Sequence, residues 1–157
     1  MMNTQVMFYI LEPDEKTQSN KDKHYLSLLH GCFQAAHCYR QNQRVFIYSQ
    51  DQQQAHQVDE LLWSFEPDSF VPHNLVNEGQ NKGSAVEISW QAPTNRRPVL
   101  INLTSTVPHF AHQFSQIIDF VPSDEELKQN ARERFKAYRQ LGFQVDNQPV
   151  SPSETTS

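Results

Sequence analysis

The residues best placed to act together are cations. Between positions 128 and 139 the sequence reads KQNARERFKAYR, with Lys128, Arg132, Arg134, Lys136 and Arg139 against the single acid Glu133, a local charge of +4. The chain as a whole carries −5, so everything outside this run sums to −9. At about 100° per residue on a helix, Lys128, Arg132, Lys136 and Arg139 share one side. Arg134 and Glu133 fall outside that stripe, and Phe135 lies on its border. Exposed helices usually intersperse acids among such cations, because like charges at i, i+4 repel by a few tenths of a kcal/mol; this stripe contains none. The plain reading is a solvated face whose late basic residues complement the helix dipole. The alternative is a surface for an anionic partner, held by charge-assisted hydrogen bonds with an aromatic beside them. A phosphate backbone fits that description, and so does an acidic peptide with an apolar end.

Other chemistry finds little support. No G-x-x-x-x-G-K-[ST] or G-x-G-x-x-G is present. The segment EGQNKGS (78–84) places Lys82 before its second glycine and precedes a strand rather than a helix, the wrong order and context for a phosphate loop. Cys32 and Cys38 have no His, Cys, Asp or Glu at i±3 or i±4, the spacings that bring metal ligands onto one helix face. His109 and His112 are three apart without a nearby third ligand. His73 in VPHNL has no nucleophile elbow to serve and reads as a loop-capping side chain. A nucleotide-binding or hydrolytic α/β enzyme and a direct binder of single-stranded DNA remain the alternatives to an interaction module. The acidic remainder of the chain argues against the second.

The elements that would carry these residues are legible from hydropathy. VMFYIL (6–11) is an unbroken apolar run suited to a strand covered on both faces, RVFIY (44–48) is a second β-rich run, VLINL (99–103) reads as another strand, and IIDFV (117–121) precedes the last helix. VEISW (86–90) alternates, which predicts one solvated face. Tyr25, Leu28, Leu29, Cys32 and Ala36 mark one helix, and Ala55, Val58, Leu62 and Phe65 a second. A short helix is expected around 108–115, and residues 66–85 read as turns. The last helix, about 124 to 140, has Ser123 and Glu126 in capping-box spacing, acids in its first turn, and Gly142 just past its end. Leu127, Ala131, Tyr138 and Leu141 should form its core side.

Alternating strands and helices predict a single α/β three-layer domain over residues 1–145, with a mostly parallel sheet flanked by helices. One antiparallel edge would be compatible, and the layering is Rossmann-like without a phosphate-binding loop. Residues 146–157 read as a flexible tail. The chain is 157 residues with 37% hydrophobic content and only two Cys. It lacks any run of about 18 apolar residues and any signal-peptide pattern at its start. Those features favour a cytoplasmic globular protein with reduced, buried thiols.

Five blocks, QVDELLW (57–63), SFVPHNL (69–75), VEISW (86–90), DFVP (119–122) and LKQNARERFKAYRQLGF (127–143), occur in the order and spacing of a known family. Through them the sequence closely resembles the chi subunits of bacterial DNA polymerase III holoenzyme, over nearly the whole chain up to about residue 143. Residues 12–24 and those after 145 match poorly. The resemblance implies a non-catalytic accessory subunit without cofactor or metal. Such a subunit pairs with the psi subunit of the clamp-loader complex and binds the acidic, apolar-ended C-terminal tail of single-stranded-DNA-binding protein (SSB). It implies that the tail sits on the last helix at Lys128, Arg132, Phe135 and Lys136, with Val121 just before it. Arg139 joins them from helical geometry. Trp63 and Phe70, with neighbouring Pro67 and Val71, are implied as the surface for psi, or alternatively for an iron–sulfur helicase. Contact with DNA would be indirect.

Overall fold

The computed structural model describes residues 4–11, 24–65, 71–76 and 84–150. Seven strands form one sheet: β1 (Gln5–Ile10), β2 (Val45–Tyr48), β3 (His73–Leu75), β4 (Val86–Ser89), β5 (Val99–Asn102), β6 (Gln116–Val121) and β7 (Gln144–Pro149). Their order is β3-β4-β2-β5-β6-β1-β7, and every pairing is parallel. Three helices accompany them: α1 (Tyr25–Arg40), α2 (Gln52–Ser64) and α3 (Glu125–Gln140). A single 3-10 turn, Ala111–Gln113, stands where a short helix was expected around 108–115.

A parallel sheet needs cover on both faces, which is why its central strands β1, β2, β5 and β6 are rich in apolar residues. One face meets α1 and α2 through Leu28, Cys32, Ala55, Val58 and Leu62. The other meets the 3-10 turn and α3 through Phe110, Phe114, Ala131 and Tyr138, which close over Phe8 and Phe46. Both cysteines are free and buried, and burial pushes the Cys38 thiol up to about 11.

Three expectations are corrected. All of β4 is buried, so neither of its faces is solvated. Glu87 Oε1 lies 4.0 Å from the Arg97 guanidinium while its buried Oε2 has no hydrogen-bond partner, and the Ser89 hydroxyl donates to the Gln91 carbonyl. Within the span read as turns, residues 73–75 form the edge strand β3. At the other edge, β7 pairs with β1 from Gln144 to Pro149, extending the sheet past the boundary drawn at 145. Proline at its end fits an edge strand, where no outward N–H is needed.

The helix ends follow local chemistry. Asp51 caps α2 by accepting from the Gln54 N–H at 2.8 Å. At the end of α1, Asn42 takes φ 61°, and the Gln43 N–H donates to the Cys38 carbonyl at 2.9 Å. That is a Schellman closure using the one residue besides glycine that tolerates it readily.

His30 is buried among apolar neighbours, 2% exposed, and its Nδ1 has no hydrogen-bond partner. Desolvation lowers its pKa to about 4 from 6.5. The unfolded chain therefore binds the extra proton between those values and the folded chain does not. Stability from this group is complete above pH 6.5 and is lost as pH falls toward 4, by up to about 3 kcal/mol. His30→Leu should flatten the pH dependence of the unfolding free energy by that order in this window, measured by urea titration. Parallel wild-type and variant curves would contradict the assignment.

Candidate docking surfaces

Helix α3 begins one residue later than the sequence suggests. Asp124, not Ser123, is the N-cap, its carboxylate accepting from the Leu127 N–H at 3.0 Å. The far end closes as expected at Gly142, which takes φ 87°. There the Phe143 N–H donates to the Tyr138 carbonyl and the Gly142 N–H to the Arg139 carbonyl, with the Tyr138 and Phe143 rings stacked 6.3 Å apart. Those two bonds and the ring contact are the complete Schellman motif.

The buried side of α3 is Leu127, Ala131, Arg134 and Tyr138. Leu141, expected on that side, lies beyond the last helical turn and is 56% exposed. Arg134 is instead a core residue. Its guanidinium grips Asp119 of β6 with Nε–Oδ2 at 3.0 Å and Nη2–Oδ1 at 3.0 Å, and it donates to the carbonyls of Phe120 and Ser105. Asp119 also accepts from the Tyr138 hydroxyl at 2.9 Å. Burial, and next the Asp119 carboxylate, push that hydroxyl's pKa well above its ordinary value. One of the five cations is thus neutralised inside the protein. The sequence held two hints: an acid inside the apolar run IIDFV, and 134 completing the spacing 127, 131, 134, 138.

Lys128, Arg132, Lys136 and Arg139 differ in their surroundings. Lys128 Nζ lies 3.7 Å from Glu125 Oε1, a partner one turn earlier that the stripe argument overlooked. Glu125 is 85% exposed, and such a pair contributes little. Arg132 donates to Gln129 Oε1 at 3.3 Å. Lys136 and Arg139 are exposed and form no ion pair among the described residues. Phe135 is half-buried, its ring 5.3 Å from Phe8 of β1. Val121, also half-buried, ends β6 in register with Ile10.

At the opposite edge of the sheet, Trp63 near the end of α2 is 61% exposed. Its ring stands edge-on to His73 of β3, centroids 4.8 Å apart. His73 Nδ1 is 2.7 Å from the Val71 carbonyl, which fixes it as a donor, and Nε2 is 3.3 Å from Asp59 Oδ1. Val71 is 1% exposed and packs in the core beneath this surface. Pro67 and Phe70 lie outside the described residues.

The carboxyl edge of the sheet, where open α/β folds take their ligands, holds a cavity of about 280 Å³ bordered by Gln54, Asn102, Thr104, Asp119, Asn130 and Arg134. The Asn102 amide donates to Tyr138, Asp119 and the Thr106 carbonyl, and the Arg134 guanidinium is held by Asp119. These polar groups satisfy one another. Residues 78–83 of the glycine-containing segment lie outside the described residues. Among those described, no three His, Cys, Asp or Glu side chains converge as metal ligands, and no helix is long and apolar enough to cross a membrane.

Removing one member of the buried pair strands the other. Arg134→Met should destabilise the protein by about 3–5 kcal/mol. Adding Asp119→Leu should restore much of that, as read by chemical denaturation; a single variant within about 1 kcal/mol of wild type would show that the pair is not a structural anchor.

The fold resembles that of T4 UvsW, whose crystal structure aligns with a TM-score of 0.60 at 11% identity, covering 94% of this chain and 41% of that one. This likeness is one of fold. The family model "DNA polymerase III chi subunit, HolC" matches residues 2–146, ending inside β7. "DNA polymerase III subunit chi" of Escherichia coli is 41% identical over 141 residues, covering 88% of this chain and 93% of the relative. The Haemophilus influenzae protein of the same name is 44% identical over 121 residues, covering 76% and 84%. The chain belongs to the family of DNA polymerase III chi subunits, accessory subunits of the replication machinery.

Proposed function

We propose that this chi-family chain is a non-catalytic adaptor working in the bacterial cytoplasm with two separate docking surfaces. The exposed side of α3 receives the acidic, apolar-ended C-terminal tail of SSB. The Trp63 end of α2 holds the psi subunit of the clamp-loader complex, and an iron–sulfur helicase is the alternative occupant of that second surface.

The observation that carries this reading is the exposure of Lys136 and Arg139, which form no ion pair among the described residues, on the helix that also carries half-buried Phe135. Cations so placed can meet acidic side chains and a terminal carboxylate, while Val121 and Phe135 give the last apolar side chain a place to leave water. Exposed charges interact weakly and are screened by salt. The contact then gains its usefulness from tethering, which raises the effective concentration of the loader at coated template. Trp63 supports the second surface as a large aromatic standing out from the protein, the residue type that anchors partners.

Fluorescence anisotropy with a labelled acidic peptide ending in Phe should give a dissociation constant on the order of micromolar, rising with salt. Lys136→Ala should weaken binding more than Lys128→Ala, because Glu125 already partners Lys128. A labelled oligothymidine should bind little. Peptide binding indifferent to Lys136→Ala and Arg132→Ala would remove the site. In a separate co-purification, Trp63→Ala should reduce recovery of psi while leaving peptide affinity unchanged; loss of both would mark a folding defect instead.

A further inference from the structure

Beside α3 lies a strand that sequence patterning treats as tail, and its position bears on the peptide site. Strands alternate side chains between faces, and residues in register on neighbouring parallel strands share a face. On β1, Val6 and Phe8 belong to the face that α3 covers, whereas Tyr9 packs on the other. Ile10 therefore points to the α3 face. Its register partners are Val121 on one side and Pro149 on the other, and Phe8 is in register with Asn147. Phe8 carries the Phe135 ring at 5.3 Å.

Half-buried Ile10 and Val121 thus share by register the face on which Phe135 packs against Phe8, with exposed Asn147 and Pro149 farther out on the same face. Among the described residues no further strand lies beyond β7. Exposure at Asn147 and Pro149 means that α3 leaves this strip of the edge strand uncovered. Asp146 and Gln148 point to the opposite face by the same alternation.

We infer that Ile10 and the Asn147–Pro149 end of β7 complete the SSB-tail site, Ile10 as the third wall of the apolar socket and β7 as the bank opposite the cationic helix. This rests on the proposed function of α3 and adds the residues that decide what fits there. Charge complementarity selects the occupant: the helix offers Lys136 and Arg139, which form no ion pair among the described residues, and Asn147 and Pro149 on the facing strip are uncharged. A second copy pairing along β7 is disfavoured by the proline and by the polar, charged side chains of that strand, devices that block edge-to-edge association.

The test uses the full chain and two peptides that differ only in their last residue, Phe or Ala. Ile10→Ala should weaken the Phe-ended peptide about fivefold and barely change the Ala-ended one, as expected for loss of roughly one to two methylene contacts. Asn147→Glu should weaken both peptides several-fold by placing an acid opposite the cations, whereas Gln148→Glu, on the other face, should not. Circular dichroism melts of each variant separate these effects from misfolding, and Val121→Ala should show the same peptide selectivity if Ile10→Ala proves unstable. If wild type binds, Lys136→Ala abolishes binding, and Ile10→Ala, Val121→Ala and Asn147→Glu all leave affinity unchanged, the inference is overturned while the α3 site survives. If wild type binds neither peptide, the α3 reading fails and this inference with it. A change in sedimentation of the free chain on Asn147→Glu would identify the strip as a contact between copies and also overturn it.

Discussion

A buried arginine holding a buried aspartate fixes how the last helix lies on the sheet. Asp119 sits inside β6, 1% exposed, and Arg134 reaches it with a two-pronged grip while also bonding the β6 main chain at Phe120. The surrounding face is apolar, built from Phe8, Ile117, Ala131 and Tyr138. Apolar contacts alone are non-directional and accept a helix rotated or slid by part of a turn. A charge pair with Tyr138 and Asn102 bonded to it accepts one arrangement, because any other leaves a charge without a partner at a cost of several kcal/mol. The rotation it selects turns Lys128, Arg132, Lys136 and Arg139 outward together. One cation of the run is thus engaged in presenting the others.

The sheet order then separates the surfaces. With β3 at one edge and β7 at the other, the Trp63 end of α2 and the cationic flank of α3 lie on opposite edges and on opposite faces. On the proposed adaptor reading, such spacing keeps either occupant from obstructing the other. The carboxyl-edge crevice between them is bordered by polar groups that bond to one another.

How far the sequence could be read depended on whether a residue's partner was near it in the chain. β1, β2, β5 and β6 were legible because burial on both faces demands continuous apolar runs. β4 misled, since Glu87 and Ser89 alternate with Val86 and Ile88 as though facing water, and only the tertiary fold supplies Arg97 to the acid. The edge strands His73–Leu75 and Gln144–Pro149 have no hydropathy signal because the second is largely exposed and the first is only three residues long. On α3 the cap moved by one because Ser123 and Asp124 can both serve. Arg134 falls off the stripe as expected, but its place in the core is hidden because an arginine reads as surface until its buried acid is known. The exposed stripe, by contrast, follows from helical spacing alone. Its pairing of Lys128 with Glu125 was missed by considering neighbours four apart and not three.

The account stands on the claim that the outward flank of α3 is a place where another polypeptide docks. Backbone amide chemical shifts recorded while the full chain is titrated with an acidic peptide ending in Phe test it directly. Perturbations concentrated at Val121, Phe135, Lys136 and Arg139, with Trp63 and its neighbours unmoved, are the predicted result. Shifts gathered at the carboxyl-edge crevice or around Trp63, with α3 silent, would contradict it.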